Sequence, residues 1–193
     1  MKILKPAWLI AAALNCTSIH AEDSMILDQF EDGKATLEWR AVNDGVMGGM
    51  SKGAPEMTEQ SRMVFSGSIS FENNGGFSSI RSRGQTLNLD EYDGIELRVK
   101  GDGRMYYLTA RTPGAGRVAF WSPVTPKAGE WTTIRIPFQT FYPTFFGRKL
   151  ESPSLDISSI NSLGFMLYDK KEGEFKLEVE WIKAYKNQQT YLY

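Results

Sequence analysis

Cysteine and histidine are almost missing: Cys16 and His20 are the single representatives in 193 residues. One cysteine cannot form an internal disulfide, so the fold has to hold through its core alone. No segment repeats apolar residues at a sustained helical spacing, which argues against amphipathic helices. There is no G-x-G-x-x-G run opening a helix, no EF-hand-like acidic spacing, no internal repeat and no low-complexity tract. Charge of one sign is not in excess either. Lys and Arg number 22 against 23 Asp and Glu, for a formal net charge of −1.

The start of the chain has the form of a secretory signal. Lys2 and Lys5 supply positive charge, Ala7 to Leu14 form an apolar run, and Ile19-His20-Ala21 precedes acidic Glu22 and Asp23. The run is too short to cross a bilayer as a permanent helix. A mitochondrial transit peptide would be rich in arginine, whereas the first arginine here is Arg40. The expectation is cleavage near Ala21 and an exported protein, periplasmic or secreted, with residues 22–193 as one domain. Lipidation at Cys16 is an alternative, though Asn15 is a poor residue before a lipidated cysteine. Loss of residues 1–21 removes Lys2, Lys5, Cys16 and His20, leaving 20 basic against 23 acidic residues and a net charge of −3. That balance argues against nucleic acid or anionic lipid as a partner. Ser-His-Asp and Cys-His catalysis are then excluded, as is a structural zinc site of the usual Cys/His type.

What the sequence does have is alternation. Ile95, Leu97 and Val99 share one face, and Glu96, Arg98 and Lys100 the other. Phe175, Leu177, Val179 and Trp181 alternate with Lys176, Glu178 and Glu180. Met63, Phe65, Ile69 and Phe71 alternate with serines, and Thr132, Ile134, Ile136 and Phe138 follow Trp131. A period of two marks half-buried strands. Further strands are expected over 37–42, 77–83, 105–111, 118–122 and 163–168. Between them lie turn clusters such as Asn73-Asn74-Gly75-Gly76, Gly101-Asp102-Gly103 and Lys171-Glu172-Gly173. Many short strands with regular turns predict an all-β fold, a sandwich or barrel, from about Ile26 to Tyr185, with an exposed tail beyond.

The most unusual stretch is Trp39-Arg40-Ala41-Val42-Asn43-Asp44-Gly45-Val46-Met47-Gly48-Gly49-Met50-Ser51. Asn-Asp-Gly is a turn signal, and Gly48-Gly49 permits positive φ or a close backbone approach. A hairpin or bulge closing the sandwich would account for it. A second cluster sets Arg81, Arg83 and Arg111 on or beside strands, with Trp121, Phe141, Tyr142, Phe145, Phe146 and Arg148 on or near loops, where Pro123 and Pro143 are expected to interrupt the strands. Flat rings beside fork-shaped donors hold sugars or peptides. Trp39, Trp131 and Trp181 are expected in the core. The carboxylates, among them Asp44, Glu72, Asp93, Asp102 and Asp169, show no spacing that would pair two across a glycosidase cleft. Oxygen donors at Asn43-Asp44 or Asp90-Glu91 leave a calcium site open.

These motifs resemble the complex I intermediate-associated protein 30 family. The resemblance rests on the tryptophan followed by Asn43 to Ser51, on Glu72 to Ser82, on Tyr92-Asp93-Gly94 and on Arg98 to Gly103. It continues at Pro143 to Arg148, at Ser162 to Met166 and at Trp181-Ile182. It implies an antiparallel β-sandwich of the galactose-binding-like jelly-roll type and a part in assembling NADH:ubiquinone oxidoreductase. The expected function is therefore a non-catalytic binding or assembly factor with no cofactor and no metal. Its partner would be a protein, a respiratory-complex subunit or other membrane protein. The alternative is an exported carbohydrate-binding module. The expected binding residues are Asn43, Asp44, Met47, Gly48, Gly49 and Ser51, with Asn74, Gly75, Arg81, Arg83, Trp121, Tyr142, Phe145 and Arg148.

Overall fold

The computed structural model describes residues 24–83 and 85–187. The expected tail is described only to Asn187, and its remainder lies outside, as does the segment read as a signal. The alternating segments all become strands. In chain order they are β1 (Ser24–Asp28), β2 (Glu38–Ala41), β3 (Lys52–Thr58), β4 (Arg62–Ile69), β5 (Ser78–Arg83), β6 (Gly94–Lys100) and β7 (Tyr106–Arg111). They continue as β8 (Ala119–Val124), β9 (Trp131–Pro137), β10 (Tyr142–Phe145), β11 (Arg148–Lys149), β12 (Ser162–Leu167) and β13 (Gly173–Tyr185). Among the described residues there is no α-helix, only short 3₁₀ turns.

The strands form two antiparallel sheets. One runs β3-β4-β13-β6-β9, with β1 also on β13, and the other β11-β10-β8-β7-β12-β5-β2. The apolar faces meet between them. Ile95, Leu97 and Val99 of β6 are fully buried, as are Leu108 of β7 and Phe165 of β12. A ring cluster joins the sheets: Phe65 and Phe175 from the first meet Tyr106 from the second at 6.5 and 6.4 Å. The Tyr106 hydroxyl donates to Asp102 at 2.9 Å, and burial pushes its pKa well up. Each buried ring of this size contributes about 2–3 kcal/mol.

β13 departs from simple alternation. Its pairing to β6 matches Val179 with Val99 but Trp181 with Arg98, so Glu180 is an extra residue. A bulge of this kind inverts the faces beyond it. Phe175, Leu177 and Val179 point inward before it, and Ile182 and Ala184 after it. Trp181 is therefore turned outward, where Lys183 Nζ lies 4.3 Å from its ring. Trp131 also lies outside the core, between the Arg62 guanidinium at 4.9 Å and Lys100 Nζ at 5.3 Å. These two tryptophans correct the core expectation, while Trp39 stacks on Phe165 at 5.8 Å and packs against the core. Phe71 is exposed rather than inward. Pro123 and Pro143 do not interrupt strands: β8 and β10 run through them. Residue 123 lies past the end of the β10 pairing, so its missing N–H breaks no ladder there. β1, β3, β10 and β11 were not anticipated, and the segment of Tyr142, Phe145 and Arg148 forms a hairpin rather than an open loop. β3, which carries Pro55, is an edge strand, where proline is tolerated.

The two sheets are knotted at one end by Asp28. This fully buried carboxylate accepts N–H bonds from Thr36 at 3.0 Å, Leu37 at 3.1 Å and Trp39 Nε1 at 2.9 Å. It ties β1 of one sheet to the entry of β2 in the other. Asp28→Ala should lower the unfolding free energy by roughly 3 kcal/mol, since buried donors left without an acceptor cost about 1–3 kcal/mol each. Asp28→Asn should recover only part, because its amide adds a donor facing donors. Urea denaturation measures both, and a loss under about 1 kcal/mol for Asp28→Ala would show the knot to be dispensable.

Candidate binding cleft

The motif after β2 is organised around one carboxylate. Val42 donates its N–H to Ser79 O at 2.8 Å, which holds the departing chain against β5. Asn43 donates its amide to Gly53 O at 2.9 Å and accepts from Ser78 Oγ at 2.7 Å. Asp44 to Met47 make a 3₁₀ turn that ends at Gly48, whose φ of 90° only glycine adopts freely. The Asp44 side chain turns inward. Its Oδ1 accepts from Ser51 N at 3.0 Å, and its Oδ2 accepts from Gly76 N at 2.7 Å and Phe77 N at 3.3 Å. The two glycine-rich motifs are thus clamped by a single buried anion. A Cβ at Gly49 or Gly75 would lie 2.5 or 2.7 Å from that carboxylate, which is why neither carries a side chain.

This corrects part of the expected site. Asp44 is fully buried and cannot reach a partner. Ser51 is buried and spent on Ser70, and both ends of the Asn43 amide are engaged within the chain. The Asp44 carboxylate is fully buried and already accepts three N–H bonds, so the calcium option at Asn43-Asp44 would have to displace part of the clamp. Among the described residues no three acidic, histidine or cysteine side chains converge as metal ligands.

The clamp builds one wall of a cleft of about 680 Å³ on the outer face of the second sheet. Its floor can be followed through the strand register. Arg40 pairs with Arg81, Arg81 with Gly164, Gly164 with Thr109, Thr109 with Trp121, and Trp121 with Tyr142. The row is cationic at one end and aromatic at the other, with a glycine between. Met47, Asn74 and Gly75 line the clamped side, and Phe146 and Gly147 the opposite side. Phe146 and Gly147 are the two loop residues of the β10–β11 hairpin, both at positive φ, 48° and 75°. Such turns favour Asn-Gly, so a phenylalanine there is strained, and its ring is 71% exposed.

The aromatic end is packed. Trp121 lies 5.0 Å from the Tyr107 ring and 5.9 Å from Tyr168. Tyr142 has its pKa pushed up to about 12 by burial and by neighbouring Tyr107, while Lys149 Nζ sits 4.7 Å over its ring. At the cationic end, burial together with the charges of Arg111 and Arg40 lowers Arg81 to about 10, and burial lowers Arg111. Of the expected residues the structure brings Met47, Asn74, Gly75, Arg81 and Trp121 into the cleft lining. Arg83 lies in an adjoining groove and pairs with Glu38 at 3.8 Å. Gly48, Gly49, Tyr142, Phe145 and Arg148 stand outside the lining, although Tyr142 ends the floor row. Arg117, Phe77 and Tyr168 were missed, as was Thr109. The signal for the last was its outward phase on β7, opposite buried Leu108 and Ala110.

The family model described as complex I intermediate-associated protein 30 matches residues 29–179. The mouse protein named complex I intermediate-associated protein 30, mitochondrial, is 26% identical over 187 residues, covering 85% of this chain and 57% of its own length. An uncharacterised protein of Schizosaccharomyces pombe is 29% identical over 171 residues, covering 76% of this chain and 77% of its own. Among solved structures, the family 11 carbohydrate-binding module of a Clostridium thermocellum cellulosomal cellulase superposes with a TM-score of 0.67. Identity is 19%, over 89% of this chain and 100% of that one, so the likeness establishes the jelly-roll sandwich and nothing about ligand. The relatives overturn the expected export: those from mouse, Caenorhabditis briggsae, Drosophila and Neurospora are named as mitochondrial proteins, not periplasmic or secreted ones.

Asp44→Ala should cost about 2–4 kcal/mol and expose the loops around residues 44 and 76 to limited proteolysis. Met47→Ala should do neither, because Met47 is exposed. Gly48→Val should cost about 1–2 kcal/mol through backbone strain alone, since nothing lies within 4 Å of a Cβ there. Equal proteolysis of the Asp44 and Met47 variants would remove the clamp from the account.

Proposed function

The chain belongs to the complex I intermediate-associated protein 30 family, and from that premise we propose that it is a non-catalytic protein-binding factor for complex I assembly, working through the cleft. One observation carries this reading. The cleft combines Arg81, Arg111, Arg117, Trp121, Met47 and Phe146, and its lining includes no Asp, Glu, His, Cys or Lys. Arginine, aromatics and methionine are the residues enriched where proteins meet. General acid–base catalysis needs a group that titrates near the working pH, and arginine and tyrosine do not. No helix among the described residues is long and apolar enough to cross a membrane.

Carbohydrate binding is the second reading, and Trp121 beside Tyr107 and Tyr168 is the feature in its favour. Sugar hydroxyls, however, need acceptors as well as donors. The charged groups of the cleft are guanidinium donors, which accept nothing, and its side-chain acceptors are the neutral oxygens of Asn74, Ser79, Thr109, Thr144 and Tyr168 rather than a carboxylate.

Phe146→Asn separates binding from stability. Asparagine tolerates the left-handed conformation, so the variant should keep or raise the melting temperature. It should also weaken recovery of complex I intermediate subunits from detergent-solubilised respiratory membranes by about tenfold, the effect of losing one anchoring ring. Recovery of no subunit by the unaltered chain, with signal on a neutral glycan array, would replace this reading with the second.

A further inference from the structure

Among the described residues Arg81 and Arg111, which the cleft and its adjoining groove share, have no counter-ion, whereas Arg83 at the groove's edge pairs with Glu38. The cleft and its adjoining groove share Arg81 and Arg111 and add Arg117, Arg40 and Arg83, while no Asp or Glu lines either. This occurs in a chain whose acidic and basic residues nearly balance. Several arginines elsewhere do meet a carboxylate. Arg104 meets both oxygens of Asp169 at 2.7 and 3.0 Å, and Arg62 lies 3.6 Å from Glu178. Among the described residues no carboxylate lies within ion-pair distance of Arg81 or Arg111, and the buried Arg111 Nε has no hydrogen-bond partner. Arg40 and Arg81 are also directly opposite in register. Like charges so placed destabilise a sheet, and an unpaired buried donor adds to the cost.

Gly164 lets Arg81 and Thr109 close in over the strand between them: a Cβ there would meet Ile80 O at 2.6 Å, Thr109 Oγ1 at 2.7 Å and Arg81 Cγ at 3.3 Å. The open space is the cleft itself, which both Arg81 and Arg111 line. Guanidinium forks without acceptors at its edge fit the two oxygens of a carboxylate. Trp121 lies three strands away, roughly 14 Å at the usual strand spacing. That distance suits an acidic residue and an apolar residue on one extended segment. We infer that Arg81 and Arg111 form a carboxylate-recognition subsite for an acidic segment of a protein partner, with a neighbouring apolar side chain of that segment lying toward Trp121. The inference rests on the protein-binding reading above. An acidic polysaccharide would present the same carboxylate, and the test below includes one.

The test uses the full chain in calorimetric titration. The probes are a synthetic Gly-Glu-Gly-Gly-Gly-Phe-Gly peptide, capped at both ends, whose Glu and Phe lie four residue steps of about 3.4 Å apart when extended, its Gln counterpart, polygalacturonate and inorganic phosphate. The Glu peptide should bind at least tenfold tighter than the Gln peptide, and the preference should shrink as salt rises. Arg81→Gln and Arg111→Gln should each erase the preference and keep or raise the melting temperature by relieving repulsion. Arg98→Gln, on the other sheet, should leave the preference intact. Equal binding of the two peptides, or none, overturns the inference, as does a preference that survives Arg111→Gln. Arginine-dependent binding of polygalacturonate or phosphate in place of the Glu peptide overturns it too. Subunit recovery by the unaltered chain, run in parallel, keeps the readings apart. Recovery without a peptide preference sinks this inference alone, and a preference without recovery sinks the assembly reading alone.

Discussion

A buried carboxylate with no cationic partner survives only if hydrogen bonds replace the water it has lost. Asp44 meets that condition with N–H groups from Ser51, Gly76 and Phe77, drawn from two loops far apart in sequence. The bargain works in both directions, because those N–H groups lie where no strand partner could accept them. Much of the local sequence follows from it. Gly49 and Gly75 must lack side chains to let the carboxylate in, and Gly48 must turn left-handed to bring Ser51 back. The motif is dense in functional-looking residues because it is a mechanical joint, and what it presents outward is Met47 and Asn74 at the cleft.

The cleft itself is made by the sheet rather than by loops. Alternation sends Leu108 and Ala110 of β7 inward, so Thr109 and Arg111 must face out; the same holds for Arg81 on β5 and Trp121 on β8. Antiparallel pairing then lays these outward residues side by side across several strands. The loops contribute the walls, one braced by Asp44 and the other raised by the β10–β11 hairpin. Phe146 in that hairpin occupies a conformation that asparagine or glycine would accept more readily, and its ring is turned to solvent. Strain retained at a largely exposed ring costs stability, and in the free chain the ring gains an edge contact with Phe145 at 4.7 Å. A partner that covers the ring supplies the compensation.

The strands were legible because period-two alternation is local, and both sheets follow from it. Three features were not. The bulge at Glu180 shifts the phase of β13 by one residue, and nothing in Leu177 to Trp181 announces it, so Trp181 read as inward. Asp44 looked like a turn residue because its N–H donors come from residues 51, 76 and 77, which are adjacent only in the fold. The cleft needs strand order: Arg40, Arg81, Thr109 and Trp121 are scattered in sequence and become a row only when β2, β5, β12, β7 and β8 are neighbours. The export expectation failed for a different reason: it rested on two lysines and a short apolar run at the start of the chain, whereas the relatives named as mitochondrial match the chain over its β-sandwich.

The two ends of the second sheet treat arginine in opposite ways, and the contrast bears on function. At Arg104 every donor finds an oxygen: Asp169 takes a bidentate pair, and the carbonyls of Gly173 and Glu174 accept at 3.2 and 3.1 Å. Burial alone would raise the Asp169 pKa, yet the Arg104 hydrogen bonds and charge hold it below the usual carboxylate range. That pair therefore stabilises the fold above the unfolded carboxylate pKa and loses its effect as pH falls through the lowered folded value. In the cleft, burial and mutual repulsion push Arg81 down to about 10, with no acid nearby to reverse the shift. A guanidinium at that value is still fully charged at neutral pH, so the fold carries uncompensated repulsion there throughout the physiological range. A chain that can place Asp169 against Arg104 has the means to place an acid against Arg81. Leaving that position empty costs stability in the free protein and reserves the charge for an acid that arrives from outside.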